Sequence, residues 1–145
     1  MTDQKFKLLW LRIILTGLII VIVAFSLLML ITTVYGFILG FKARGAPDTE
    51  LISQFAENLG IWLDPLLIIV LAYFGGTMVS RKAGNLFVLH GVLLGIVIAS
   101  FSFLETKIFG GVLNLKEGMY LMFYIVSSGL GGFKAIPKKK QDFFM

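Results

Sequence analysis

Cysteine is absent from this chain, and histidine occurs once, as His90. The first absence excludes disulfides, thiolate metal sites, haem attachment and cysteine nucleophiles. The second leaves one imidazole with no carboxylate in the same apolar block, a poor basis for a metal site or a proton relay. Charge is scarce too: Asp, Glu, Lys and Arg make up 14% of the residues, against about 25% in soluble domains. No G-x-S-x-G, P-loop or H-E-x-x-H motif occurs, and no carboxylate pair is spaced for acid and base work. The chain therefore reads as a non-enzyme that calls for no cofactor and no metal.

What is present is apolar. Hydrophobic residues fill 58% of the 145 positions, and they fall in four blocks, about 8–41, 61–80, 86–104 and 119–136. A helix needs roughly 20 mainly apolar residues to cross a bilayer, and each block meets that length. The expected fold is all-α, a four-helix transmembrane bundle forming a single membrane domain over residues 1–145. The first block is too long for a signal-peptide core of about 7–15 residues, and Tyr35-Gly36-Phe37 does not match a small-residue cleavage site. It reads as a permanent span, with Arg12 snorkelling to the inner interface and Tyr35, Phe37 and Phe41 forming an outer aromatic belt.

Lys and Arg near span ends favour the cytoplasmic side. The amino terminus, second connection and carboxyl tail carry nine basic residues (Lys5, Lys7, Arg12, Arg81, Lys82, Lys134, Lys138, Lys139, Lys140) against Asp3 and Asp142. The first and third connections carry Lys42, Arg44, Lys107 and Lys116 against six acids, Asp48, Glu50, Glu57, Asp64, Glu105 and Glu117. Both termini are thus expected in the cytoplasm. Pro137 would stop the last helix, and Lys138-Lys139-Lys140 would anchor the tail on the membrane surface. The net charge of +5 does not signal nucleic acid, because the basic residues sit at span ends with no nucleic-acid motif beside them. Anionic lipid on the cytoplasmic side is the expected partner.

Gly45-Ala46-Pro47-Asp48 is a turn-rich lead into a short amphipathic helix over about 48–59. Leu51, Ile52, Phe55, Ala56 and Leu59 share one face, and Glu50, Gln54, Glu57 and Asn58 the other. This helix is expected on the outer membrane surface or as a cap on the bundle, with Gly60 as its terminator. Asp64-Pro65 then matches a new helix start, Asp as N-cap and Pro in the first turn, with Trp62 at the outer interface.

An internal repeat is suggested by two shifts. A shift of 74 places Leu15-Thr16-Gly17-Leu18 on Leu89-His90-Gly91-Val92 and Tyr35-Gly36 on Phe109-Gly110; a shift of 56 places Phe74-Gly75-Gly76 on Leu130-Gly131-Gly132 and Lys82 on Lys138. The chain would then be two tandem helical hairpins related by an axis along the membrane normal, although apolar spans with glycines also align by chance.

Small residues let helix backbones approach closely in lipid. Such stripes comprise Ala72, Gly75, Gly76 and Ser80 in the second block, Gly91, Gly95 and Ala99 in the third, and Ser127, Ser128, Gly131 and Gly132 in the fourth; Gly36 and Gly40 lie near the outer end of the first. Their geometry suits packing within the bundle or against another subunit, and packing within the bundle is the favoured reading. The Gly-Gly pairs also permit broken helices around an ion. Arg12, Arg81, His90 and Lys134 form a candidate lipid-phosphate pocket at the cytoplasmic end, although a lone His also serves simply as a structural hydrogen-bond donor. No acid falls at the centre of a block, which argues against proton-coupled export through a membrane-embedded carboxylate.

The segment Phe74-Gly75-Gly76-Thr77-Met78-Val79-Ser80-Arg81, followed by Leu89-His90-Gly91-Val92-Leu93-Leu94-Gly95 and later Leu130-Gly131-Gly132, resembles a broad group of uncharacterised small bacterial four-span proteins. In these a Gly-Gly pair precedes a basic inner loop and a His-Gly step opens the third span. The resemblance implies a prokaryotic cytoplasmic membrane and no particular activity. The expected role is a helix-packing protein, self-associating or an accessory subunit of a membrane assembly. The alternative is a small channel or transporter with a path between hairpins or protomers, lined by Thr16, His90, Ser127 and Ser128.

Overall fold

A computed structural model describes residues 2–46, 48–83, 86–108 and 114–136, with the backbone alone for residues 2–9. Pro47, Phe109, Gly110, Pro137, Lys138, Lys139, Lys140 and Asp142 therefore lie outside the described residues, as do the side chains of Asp3, Lys5 and Lys7. Among the described residues all regular structure is helical: α1 Thr2–Ala43, α2 Thr49–Arg81, α3 Phe87–Ile108 and α4 Leu115–Lys134. At a rise of 1.5 Å per residue these helices run to roughly 63, 50, 33 and 30 Å. Three are long and apolar enough to cross a membrane: α1 from Trp10 to Ala43, α2 and α3. The fourth has the length, but Lys116, Glu117, two serines and four glycines dilute its apolar content.

The chain divides into two units by its internal contacts, Met1–Val21 with Ile68–Met145, and Ile22–Leu67. In the second of these, α1 and α2 form a hairpin. Arg44 turns the chain out of α1 with a left-handed φ of 51°, and the Asp48 carboxylate accepts the backbone N–H groups of Glu50 at 2.9 Å and Leu51 at 3.4 Å, supplying the N-cap of α2. Further along, the Tyr35 and Phe55 rings stack with centroids 3.8 Å apart, and Ile52 reaches over Gly36.

That pairing corrects the expectation of a separate helix over 48–59. α2 runs unbroken through Gly60, Asp64 and Pro65, so Gly60 terminates nothing and Asp64 does not sit at a helix start. Local sequence disfavours this continuity by about 1 kcal/mol for Gly and about 3 kcal/mol for Pro. Tertiary packing offsets it: Ile52, Phe55, Ala56 and Leu59 are half-buried and Pro65 is buried, while Glu50, Gln54, Glu57 and Asn58 remain exposed. The amphipathic faces are as the sequence suggests, apart from an exposed Leu51, and the apolar one has found α1.

The other unit holds the first half of α1, the last part of α2, and α3 antiparallel to α4. Its buried side chains include Ile13, Ile20, Ile68, Val79, Leu94, Ile98 and Tyr124. α4 opens with a capping box: Asn114 accepts the Glu117 N–H at 3.0 Å, and Glu117 accepts the Asn114 N–H at 3.4 Å. The helix therefore begins four residues before its apolar block, because the reciprocal cap satisfies two amide groups that the first turn leaves free.

Polarity in α4 is inverted relative to a helix in water. Leu115, Met119, Met122, Phe123, Val126, Leu130 and Phe133 point outward, Met122 being 63% exposed. Ser128, Gly129, Gly131 and Gly132 point inward together with Tyr124. A soluble amphipathic helix buries its large apolar side chains and exposes its polar ones.

Candidate helix-packing site

Of the small residues in the stripes, Ala72, Gly75, Gly76, Ser80, Gly91, Gly95, Ala99, Ser128, Gly131 and Gly132 are buried, and Ser127, Gly36 and Gly40 are half-buried. Gly76, Gly91, Gly95, Gly131 and Gly132 line a seam along which α2, α3 and α4 come into close backbone contact. A Cβ on Gly76 would overlap the Ser128 carbonyl oxygen, and one on Gly131 would overlap that of Tyr73. On α3, a Cβ at Gly91 would lie 2.5 Å from the Ser128 oxygen, and one at Gly95 2.5 Å from Ile125 Cα. Gly132 closes the seam, since a Cβ there would lie 2.7 Å from the Phe87 carbonyl oxygen and 3.2 Å from Gly91 Cα. Gly75 faces a different neighbour, α1, where its absent side chain leaves room for Ile20 and Thr16 beside Leu94. Both Gly-Gly pairs thus sit in continuous helices at tight crossings.

Hydroxyls tie the same crossings together. Ser128 Oγ, fully buried, donates to the Gly91 carbonyl at 2.8 Å. Ser80 Oγ donates to Phe87 O at 2.7 Å, and Ser127 Oγ to Ile69 O at 2.7 Å. Thr77 Oγ1 is within reach of Tyr73 O on its own helix at 3.0 Å and Gly131 O on α4 at 3.1 Å. In a medium without water a free hydroxyl is costly, and the short Ser and Thr side chains meet that cost with carbonyls that already accept one helical bond. Sequence reasoning passed over Thr77, Gly17 and Gly129. Gly17 accommodates Val97 and Gly129 accommodates Val92; four-residue spacing links Thr77 to Tyr73, but nothing local marks its link to α4.

The candidate phosphate pocket takes a different form. Arg12, Arg81 and Lys134 are exposed, whereas His90 is 8% exposed. Its Nδ1 lies 2.9 Å from the Leu86 carbonyl, which also accepts the His90 backbone N–H at 3.1 Å. His90 Nδ1 thus closes the first turn of α3 over Leu86, a residue held at a left-handed φ of 57°. Lys134 places its ammonium 5.4 Å from the Tyr73 ring centroid. No hydrogen bond among the described residues joins any two of these four side chains.

Where α2, α3 and α4 cross, backbone meets backbone. Ser127, Ser128 and His90 direct their polar atoms to helix carbonyls, and Thr16 is half-buried against Gly75. Among the described residues no three His, Asp or Glu side chains cluster as a metal site would need. No protein-family model matches the chain, and no curated protein or solved structure is similar to it.

Proposed function

We propose that this chain is a non-enzymatic, four-span protein of a prokaryotic cytoplasmic membrane, with both ends in the cytoplasm, acting as a helix-packed accessory subunit of a membrane assembly. The observation that carries the reading is the inverted polarity of α4 where it packs on α2 and α3. Glycines and serines of α4 face the small residues of α2 and α3, and the large aliphatic, Met and Phe side chains of α4 from Met119 to Phe133 face out. Lipid accepts such an exterior, and small residues supply the close packing that association in lipid depends on.

α4 reads as the fourth crossing for the same reason. Its modest apolarity comes largely from the residues that meet α2 and α3, while its outward face from Met119 to Phe133 is apolar throughout. The glycine stripes are occupied within the chain, so contacts with other subunits fall to the outward faces of the helices. A channel between α2, α3 and α4 draws no support from side chains that already bond carbonyls.

Extraction from native membranes in mild detergent, with the mass of the complex and its composition measured, tests the role. An assembly of fixed composition, with other membrane chains or with further copies of this one, is the expected result. A lone monomer in every extraction would overturn it, and solute flux into proteoliposomes would transfer the role to transport.

A further inference from the structure

One end of the first unit collects basic side chains from three helices. Thr16 and Ile20 of α1 lie against Gly75 of α2, so Arg12, one turn earlier, falls toward the same end as Arg81 and Lys82. Gly132 meets Phe87 at this end, and Lys134 follows on α4 with its ammonium over the Tyr73 ring. Arg12, Arg81, Lys82 and Lys134 are all exposed. The described carboxylates of this unit, Glu105 and Glu117, lie at the opposite ends of α3 and α4. Among the described side chains of this unit the rim is therefore cationic, with no carboxylate at the same end.

We propose that this rim binds the phosphates of anionic lipid headgroups through Arg12, Arg81, Lys82 and Lys134, with His90 taking no part. The proposal rests on the membrane reading above and adds a ligand to it. Guanidinium groups present two parallel donors to a phosphate, and ammonium groups act as point charges. The Tyr73 ring attracts the Lys134 ammonium and so restrains one of these groups before lipid arrives. Because the four side chains come from α1, α2 and α4, one layer of phosphates ties together helix ends that are distant in sequence. Each basic residue near an anionic surface adds about a fivefold gain in affinity.

The test uses the full chain in nanodiscs of phosphatidylcholine, with and without added phosphatidylglycerol. Unfolding temperature and oligomeric mass are read on the same samples. Phosphatidylglycerol is expected to raise the unfolding temperature of the native chain and of a control carrying K42Q, R44Q, K107Q and K116Q. The R12Q/R81Q/K82Q/K134Q variant is expected to lose that rise, and R81Q alone to weaken the response to phosphatidylglycerol about fivefold. Equal unfolding temperatures of the native chain with and without phosphatidylglycerol overturn the proposal whether or not any variant folds. So does an equal loss in both quadruple variants. Inorganic phosphate reproducing the rise in phosphatidylcholine alone would reassign the rim to a free anion. An unchanged mass beside a lost thermal response separates failure of this site from failure of the subunit role.

Discussion

Gly131 and Gly60 place the same residue type in opposite surroundings. At Gly131 a Cβ would overlap the Tyr73 carbonyl and crowd the Thr77 amide, and backbone cannot move aside as a side-chain tip can; at Gly60 nothing lies within 4 Å. Gly131→Ala is therefore expected to destabilise the chain by about 2 kcal/mol. Gly60→Ala should stabilise α2 by up to about 1 kcal/mol through helix propensity. Denaturant titration of both variants in detergent checks the contrast, and equal effects of the same sign would contradict it. Leu86 offers a second test, since a branched side chain at φ 57° is strained where Asn is tolerated. Leu86→Asn should gain about 1 kcal/mol in the same titration. The glycine stripes were legible because their spacing is local. Which glycine meets a backbone, and which meets open space, depends on a neighbouring helix that spacing does not specify.

At the scale of the element, α4 is held at its start by a cap and along its length by hydroxyls. Removing the cap with Asn114→Ala should cost about 1 kcal/mol. Ser128→Ala, which leaves the Gly91 carbonyl without its second donor, should cost about 1 kcal/mol as well. The two sites lie at different heights of the helix, so the double variant should show nearly the sum; a large departure from additivity would mean that the cap and the seam are coupled. Asn114 followed three residues later by Glu117 is a readable helix start, yet the apolar block begins only at Met119, and hydropathy alone sets the boundary there. α2 shows the converse. Asp64-Pro65 carries a valid local signature for a helix start, but the packing of Phe55 on Tyr35 and Ile52 on Gly36 keeps one helix running through it. Caps are local and legible, whereas the partner that overrides one is not.

Across the molecule, apolar blocks and sorted charge point to the same class as the inverted polarity of α4. Composition made the helices legible, because 58% hydrophobic residues in blocks of span length leave little alternative. The exposed charges of Arg12, Arg81 and Lys134 were legible in the sequence, whereas the bond of His90 Nδ1 to the carbonyl four residues back depends on local backbone geometry at Leu86. The absence of cysteine makes the central claim of four crossings directly measurable. Single cysteines at Lys116, beside the start of α4, and at Lys138, beyond its end, are to be labelled with a membrane-impermeant maleimide in intact cells and again after permeabilisation. Four crossings predict that Lys116→Cys labels in intact cells and Lys138→Cys only after permeabilisation. Labelling of both positions from the same side would show that α4 does not cross, and would contradict the account.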